Sequence, residues 1–313
     1  MLEDRRIKDL KVLQSFNKNR KKEEKNMKKM MKLMLAMIAA MMILTGCGST
    51  TDTDAPAPAN KLEEILAKGT LVLATSPDYA PMEFIDLNKT GQEQYVGSDI
   101  ELAKYIAEQL GVELEIKAMD FSTVLAAVDL GQADIAISGF GWKEDRDQSF
   151  ELSIGFNQSG ESACQGLMVK ADKLDQYKTL EDFAGLKIVA QPGSLQEGYV
   201  NEQISDADLQ LVADLTTAVL MLKTDKVEAF ACSCDQMDAY AKANPEIARS
   251  TVEFDTTAES LHDGNVLAVK KGETELITKI NEILTKVNDE DLYEQWSKDA
   301  KALAANLGLE FED

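Results

Sequence analysis

From residue 61 onward, the chain alternates short apolar runs with segments of helical period, and this alternation limits the fold most. Residues 71–75 (LVLAT) and 134–138 (DIAIS) are typical of buried strands. Between them, an apolar helical face that begins at Ile100 ends at Gly111, a residue type that favours helix termination. Strands that alternate with helices in this way predict a mainly parallel sheet covered by helices.

The same alternation restarts in the second half of the chain. Residues 187–191 (KIVAQ) and 227–232 (VEAFAC) are typical of strands, and the Pro-Gly-Ser turn at 192–194 precedes a helix that begins near Leu195. Two α/β units, each with its own apolar core, predict an α/β protein of two lobes with a cleft between them.

The first 46 residues have the pattern of a signal peptide. A basic stretch at 27–32 (MKKMMK) precedes twelve apolar residues at 33–44, too few to span a bilayer, which needs about 20. The next residues, LTGC ending at Cys47, resemble the lipobox of bacterial lipoproteins, in which the cysteine is acylated. We interpret residues 1–26 as an over-extended start and residues 47–60 as a lipidated cysteine with a flexible tether.

Charge is distributed unevenly along the chain. The formal net charge is −22, yet residues 1–46 carry 12 Lys and Arg against 5 Asp and Glu, so the acidic excess lies beyond them. An acidic domain behind a basic leader is typical of an exported protein. Nucleic acid is not expected as a partner, because phosphate binding needs clustered basic residues.

Three cysteines remain once Cys47 is assigned to a lipid. With Cys164, Cys232 and Cys234, at most one disulfide forms, and Cys164 can pair with either of the other two. The single histidine, His262, is not part of a ligand cluster at zinc-like spacing, so we expect buried thiols and no metal site.

Four blocks of sequence occur in a characteristic order: 79–84 (YAPMEF), 97–103 (GSDIELA), 131–146 (GQADIAISGFGWKEDR), and 191–194 (QPGS) with 227–230 (VEAF). Together they resemble the bacterial extracellular solute-binding proteins of family 3, over about residues 62–306. The resemblance implies the two-lobed type II periplasmic-binding-protein fold, in which each lobe is a mainly parallel sheet flanked by helices.

The resemblance also implies how the chain is divided. Lobe 1 is expected to be discontinuous, at 61–157 plus 263–313, and lobe 2 to occupy 162–257, with hinge crossovers at 158–161 and 258–262. A protein of this kind captures an amino acid in the cleft and delivers it to the permease of an ABC importer. We expect a monomer without cofactors on the outer face of the cytoplasmic membrane, held there by palmitate on Cys47.

Arg146 is the central residue of the site that the resemblance implies. In the family this arginine binds the α-carboxylate of the ligand, to which a guanidinium can donate two parallel hydrogen bonds. The residues alone favour a surface arginine that pairs with its acidic neighbours Glu144, Asp145 or Asp147, and the family position reverses that preference. The remaining implied contacts are the N–H groups of Gly141 and of Leu195, which follows the helix-capping Ser194.

Other family positions surround the rest of the ligand. Tyr79 matches the aromatic residue that packs over the ligand side chain, and Phe140 lies beside it in the same cleft edge. Ser138, the carbonyl of Gly139 and the side chain of Gln196 are candidates for accepting hydrogen bonds from the α-ammonium.

Two departures from the family pattern bear on the ligand. Relatives often have Thr or Ser at the position of Gly141, and they have an ammonium-binding Asp where this chain has Ser233. Either Asp235 moves into the cleft to serve the ammonium, or the ligand is not a standard α-amino acid. An ammonium buried without a counter-ion costs several kcal/mol.

An enzyme on the same fold, of the cyclohexadienyl or arogenate dehydratase type, is the alternative. It would need a positioned acid or base in the cleft. Glu83 and Asp99 belong to blocks that binding proteins also carry, so the sequence does not require catalysis.

Overall fold

The computed structural model describes residues 58–157, 164–257 and 264–311. The predicted signal peptide, Cys47, most of the tether and the two predicted hinge crossovers lie outside the described residues. None of the helices within the described ranges is long and apolar enough to cross a membrane.

Twelve strands and nine α-helices make up the described part of the chain. The strands are β1 (Thr70–Thr75), β2 (Phe84–Ile85), β3 (Tyr95–Val96), β4 (Glu113–Ala118), β5 (Ile135–Ala136), β6 (Phe150–Leu152), β7 (Gln165–Lys170), β8 (Lys187–Ala190), β9 (Asp208–Leu211), β10 (Ala229–Ser233), β11 (Ile247–Glu253) and β12 (Ala268–Lys270). The helices are α1 (Lys61–Lys68), α2 (Ser98–Leu110), α3 (Phe121–Asp129), α4 (Glu144–Ser149), α5 (Leu195–Gln203), α6 (Leu215–Lys223), α7 (Cys234–Ala243), α8 (Thr274–Asp289) and α9 (Leu292–Asn306).

The first lobe is built on a five-stranded sheet in the order β4-β1-β5-β12-β6. β1 runs parallel to β4 and β5, whereas β12 is antiparallel to both β5 and β6. Four strands therefore point the same way, and β12 is the exception. Because β12 comes from the last part of the chain, the chain returns to this sheet after completing the second lobe.

The second lobe is built on a separate five-stranded sheet in the order β11-β7-β10-β8-β9. β8 is parallel to β9 and β10, and β7 is antiparallel to β10 and β11. Four strands again share one direction, as the prediction of two mainly parallel sheets requires. A βα connection at the carboxyl edge of such a sheet places loops and helix N-termini together, which is where α/β proteins bind ligands.

The central strands of each sheet, such as β1 and β10, are buried on both faces, which explains their continuous apolar runs. In β1, Leu71 and Leu73 pack on the side of α2 and α8, whereas Val72 and Ala74 pack on the side of α3. In β10 of the second lobe, Phe230 belongs to one core cluster and its two neighbours belong to the cluster on the opposite face. Alternating side chains of a strand point to opposite faces, so a strand covered by helices on both sides must be apolar throughout.

Gly97 fixes the position of α2 relative to the loop after β1. Its φ is +125°, and a β-carbon at this position would overlap the carbonyl oxygen of Met82. The close approach lets the N–H groups of Ser98 and Asp99 donate to the carbonyls of Pro81 and Met82, at 3.1 and 2.9 Å. The second sequence block is therefore held against the first.

Candidate functional site: the gap between the lobes

Two segments of the first lobe contact the second lobe across a gap. One segment is the loop after β1, residues 76–81, and the other runs from residue 139 into α4. They face the turn at 191–195, the N-terminus of α6 and the start of α7 in the second lobe. Hydrogen bonds cross the gap from both segments, so the described conformation has the lobes in contact.

Arg146 is buried in this gap, with only 5% of its surface exposed. Its guanidinium donates from Nη1 to the carbonyl oxygen of Gly141 at 2.8 Å and from Nη2 to that of Gly193 in the second lobe at 2.7 Å. The guanidinium carbon also lies over the ring of Phe140, 5.1 Å from its centroid, and over that of Phe121 at 6.0 Å. The side chain therefore faces the gap and does not lie on the outer surface.

The positive charge of Arg146 has no counter-ion in the described part of the chain, since both of its hydrogen-bond acceptors are neutral carbonyls. Burial lowers the pKa of Arg146 to about 10, while the nearby Asp145 acts in the opposite direction. Arg146 therefore remains charged at neutral pH. A guanidinium has five N–H donors, so donors remain for a bound anion.

The second lobe contributes the N-terminus of α5 to the same place. Ser194 caps this helix by accepting a hydrogen bond from the N–H of Glu197 at 3.1 Å, and Leu195 is the first helical residue. A β-carbon at Gly141 would lie 2.8 Å from Cδ1 of Leu195. The missing side chain at 141 therefore makes room for Leu195 of the opposite lobe, which accounts physically for one departure from the family pattern.

Tyr79 also spans the gap. Its hydroxyl donates to Oγ of Ser233 at 2.7 Å, and beside it Nε2 of Gln236 donates to the carbonyl oxygen of Ala80. Ser233 is buried and directly precedes α7 without a capping hydrogen bond from its side chain, whereas Asp235 in the first turn of that helix is exposed. The position at which relatives carry an ammonium-binding Asp is therefore hydrogen-bonded to Tyr79.

Ser138 and Gly139 lie behind Tyr79, at the end of β5. The hydroxyl of Ser138 donates to Oε1 of Glu83 and accepts from the N–H of Ser76, both at 2.9 Å. The N–H of Gly139 donates to Oδ2 of Asp99 at 2.9 Å. The carbonyl of Gly139 and the remaining lone pair of Ser138 are what these two residues can offer to a ligand.

A buried pair of carboxyl groups, Glu83 and Asp99, supports this segment from beneath. Asp99 accepts from the hydroxyl of Tyr293 at 2.6 Å, and neither carboxyl group is exposed. Burial and the neighbouring Asp99 raise the pKa of Glu83 well above its usual range, and burial raises the pKa of Asp99. Two adjacent buried carboxyl groups cannot both ionise readily. Glu83 therefore keeps its proton and can donate a hydrogen bond to Asp99.

Gln196 and Phe140 complete the set of predicted residues. Nε2 of Gln196 donates to Oε1 of Gln165 at the start of β7, at 2.6 Å, so its amide oxygen is directed by that bond. Phe140 is a core residue whose ring packs on Phe121, with 5.1 Å between centroids. It contacts the site through Arg146, whose guanidinium it supports.

The structure pairs Cys164 with Cys234 and leaves Cys232 as a buried thiol. The disulfide joins the start of β7 to the first residue of α7, immediately after Ser233. Burial raises the pKa of Cys232 to about 12, so this thiol is protonated and unreactive at neutral pH. Cys164 and Cys234 also lie near Glu253, but sulfurs joined in a disulfide offer no thiolate to a metal.

Asp78 is a residue of the gap that sequence reasoning missed. Its Oδ2 accepts hydrogen bonds from Nε2 of Gln191 and from the N–H of Leu215, both at 3.1 Å and both in the second lobe. Burial raises its pKa, and its hydrogen bonds offset part of that rise. A lone aspartate in a loop is ordinarily a solvated residue, so the only sequence signal is its position directly before Tyr79, where the first block begins.

The fold and the gap define a two-lobed α/β binding protein of the type II periplasmic-binding-protein class, with a buried cation at the contact of the lobes. The chain belongs to the bacterial extracellular solute-binding proteins, family 3, whose family description matches residues 71–299. The family membership that the four sequence blocks predicted is thereby confirmed.

Amino-acid-binding proteins are prominent among the similar proteins. The arginine-binding extracellular protein ArtP of Bacillus subtilis is 28% identical over 260 residues, covering 82% of this chain and 91% of that protein. The crystal structure of the amino acid ABC transporter substrate-binding protein AbpA of Streptococcus pneumoniae, bound to L-arginine, has a TM-score of 0.69 at 33% identity and covers 76% of this chain and 97% of that one.

An enzyme is also among the relatives. The cyclohexadienyl dehydratase of Pseudomonas aeruginosa is 23% identical over 190 residues, which covers 60% of this chain and 68% of that protein. The fold is therefore shared by binding proteins and a dehydratase, so function must be argued from the site.

Proposed function

We propose that this protein captures an amino acid between its lobes and delivers it to the permease of an ABC importer. The observation that carries the proposal is the burial of Arg146 between two carbonyl groups of opposite lobes without a counter-ion. A buried cation is destabilising unless an anion compensates it. The α-carboxylate of an amino acid has the charge and the planar shape to do so.

The carboxylate would occupy the space between Arg146 and the N-terminus of α5. The N–H of Leu195 is the first of that helix and has no acceptor within the helix. Together with the N–H of Gly141, it would bind the second face of the carboxylate. A ligand held in this way contacts both lobes, so its binding favours the conformation in which they touch.

The α-ammonium would lie toward Ser138 and the carbonyl of Gly139. Ser233 takes the family position of the ammonium-binding aspartate, and its hydroxyl is already bound by Tyr79. Asp235 is exposed in the described conformation and would supply a carboxylate only by turning toward the gap. The amide oxygen of Gln196 is a further neutral acceptor for this end of the ligand.

Arginine is the first ligand to test. The reason is the similarity to ArtP and to the arginine-bound AbpA structure, and cationic amino acids in general share the chemistry. The delivery step rests on the family: the exported chain would be held at the outer face of the cytoplasmic membrane by lipid on Cys47, and its lobe surfaces would contact the permease.

Calorimetry with an Arg146→Ala variant tests the role of the guanidinium. A thermal-shift screen of the amino acids first identifies the ligand, which should raise the unfolding temperature of the wild-type protein. We expect Arg146→Ala to lose at least 100-fold in affinity, since a hydrogen-bonded charge pair is removed (roughly 3 kcal/mol or more). Arg249→Ala is the matched control, because Arg249 pairs with Asp238 and Glu253 at a partly exposed surface. Unchanged affinity in Arg146→Ala would refute the assigned role.

A dehydratase activity is the second candidate, favoured by the relative from Pseudomonas aeruginosa and by the protonated Glu83. The carboxyl groups of Glu83 and Asp99 are fully buried and bonded to Ser138, Gly139 and Tyr293, so neither reaches a substrate in the described conformation. Incubation with arogenate or prephenate decides between the two: appearance of phenylalanine or phenylpyruvate would establish the enzyme.

A further inference from the structure

The Asp78 carboxylate connects the lobes through two hydrogen bonds. Both come to Oδ2 from the second lobe, one from the side chain of Gln191 and one from the backbone N–H of Leu215, each at 3.1 Å. Leu215 is the first residue of α6, so its N–H has no acceptor within the helix and carries the partial positive charge of the helix end. A carboxylate is the acceptor that best matches such a group.

Each partner is held in place by its own lobe. In the first lobe, Oδ1 of Asp78 accepts from the hydroxyl of the buried Ser76 at 2.9 Å, and the N–H of Asp78 donates to the carbonyl of Ser76 at 2.8 Å. In the second lobe, Nε2 of Gln191 also donates to the carbonyl of Ala213 at 2.8 Å. Because both sides are fixed beforehand, the bonds between the lobes form only when the lobes reach this separation and orientation.

The location of these bonds relates them to the ligand site. Gln191 and Gly193 belong to one turn, and Arg146 donates to the carbonyl of Gly193. The first lobe therefore contacts this turn at two residues, with Asp78 at Gln191 and Arg146 at Gly193. The bonds to Asp78 hold the turn against the first lobe. They therefore also keep Arg146 close to the N-terminus of α5, where a carboxylate would bind.

We infer that Asp78 is a positioning residue that holds the lobes closed over the ligand. We call Asp78, Gln191 and the N–H of Leu215 the interlobe latch. The inference rests on the proposed function, because it assigns the latch to the retention of an amino acid. The latch forms when the lobes close, with or without a ligand, and the ligand enters while they are open. Its main effect on a bound ligand is therefore to slow release, with little effect on the rate of entry.

Stopped-flow kinetics on the full chain test this inference. With the amino acid identified by the screen, we expect Asp78→Ala to raise the dissociation rate by about tenfold, as hydrogen bonds to a charged group are lost, with the association rate within about twofold of wild type. Asp214→Asn is the matched control. Asp214 caps the same helix, accepting from the N–H of Thr217 at 2.8 Å, and its replacement removes the same charge without touching a bond between the lobes.

Gln191→Ala gives an independent measurement if Asp78→Ala does not fold. It removes one of the two second-lobe partners, so it should also accelerate release, but by less than Asp78→Ala, because the bond from the N–H of Leu215 remains. The double variant should release the ligand no faster than Asp78→Ala, which already removes both bonds. Dissociation rates equal to wild type in Asp78→Ala or Gln191→Ala would overturn the latch. Faster release that is confined to ligands with a cationic side chain would overturn the latch as well, because Asp78 would then contact the ligand directly.

Failure of the proposed function is distinguishable from failure of the latch. If the wild-type protein binds no amino acid, the proposed function fails. Small-angle X-ray scattering of the ligand-free proteins then tests whether Asp78 holds the lobes together. An increase in the radius of gyration of Asp78→Ala over both wild type and Asp214→Asn would support it. An unchanged radius would overturn it.

Discussion

The guanidinium of Arg146 and the carbonyl oxygen of Gly193 lie 2.7 Å apart, on opposite sides of the gap between the lobes. This bond places a buried positive charge where the two lobes meet. In the described conformation its hydrogen-bond acceptors are neutral carbonyls, and a ligand carboxylate would both neutralise the charge and join the lobes.

Replacement of Arg146 by lysine tests whether the shape of the guanidinium matters in addition to its charge. An ammonium cannot donate two parallel hydrogen bonds to a carboxylate while also reaching Gly141 and Gly193. We expect the affinity for the amino acid to fall roughly 10- to 100-fold, the worth of one hydrogen bond to a charged group. Isothermal titration calorimetry measures the change, and Arg249→Lys should bind as wild type does. Equal affinity in Arg146→Lys would show that charge alone is sufficient.

Replacement of Glu83 by glutamine should change how stability depends on pH. The folded protein keeps a proton on Glu83 that the unfolded chain releases above its ordinary pKa of 4.5. The free energy of unfolding therefore falls as the pH rises from about 4.5 through the raised pKa. Glutamine is neutral throughout; its oxygen can accept from Ser138, and its amide can donate to Asp99.

We accordingly expect Glu83→Gln to unfold at a higher temperature than wild type at pH 7 to 8 and at a similar temperature near pH 4. Differential scanning fluorimetry across this range measures the difference. Glu101→Gln serves as the control, since Glu101 lies in α2 with Asp99 but pairs with Lys104 at the surface. If the unfolding temperatures of Glu83→Gln and wild type changed with pH in parallel, the protonation of Glu83 in the folded protein would be contradicted.

Replacement of Gly97 by alanine should destabilise the first lobe strongly. The residue has a φ of +125°, and a methyl group would overlap the carbonyl of Met82. We expect a loss of about 3 kcal/mol or more in the free energy of unfolding, measured by urea denaturation. Gly69→Ala also has a positive φ but meets no atom within 4 Å, so it should cost about 1 kcal/mol. Equal losses in the two variants would show that steric overlap is unimportant.

Reduction of the Cys164–Cys234 disulfide should destabilise the protein by about 2 to 4 kcal/mol, because the crosslink spans a separation of 70 residues and restricts the unfolded chain. Urea denaturation with and without reductant measures the loss. Cys232→Ala should retain both the disulfide and the sensitivity to reductant. Fragmentation of the linked peptides by mass spectrometry identifies the partner of Cys164, and a Cys164–Cys232 link would contradict the structure.

Much of the fold could be predicted from local patterns. The apolar run at 71–75 and the helix that ends at Gly111 both appear in the structure, as β1 and α2. β9 (Asp208–Leu211) was not predicted, because its burial is incomplete and its sequence, DLQL, has no clear apolar run. The buried strand expected at 134–138 has regular strand pairing only over Ile135–Ala136. The N–H of Ile137 still donates to the carbonyl of Ala74 in β1, at 3.3 Å, and the chain then turns at Ser138, which bonds to Glu83.

The site was predicted less completely. Arg146 was identified from its family position, and the structure places it in the gap. Asp78 was not, because its two partners lie 113 and 137 residues away in the chain. The sequence showed that Ser233 stands where relatives have an aspartate, but it did not show that Ser233 bonds to Tyr79.

By itself, the sequence determined the class of architecture, because periodicity and helix-ending glycines are local properties that each segment carries with it. It also determined which residue types were present for binding a carboxylate. Only the tertiary structure decided which cysteine pairs with Cys164, that Glu83 and Asp99 share one buried environment, and that Asp78 meets Gln191. These are contacts between distant segments, and their formation depends on how two sheets pack and approach one another, which local pattern does not encode.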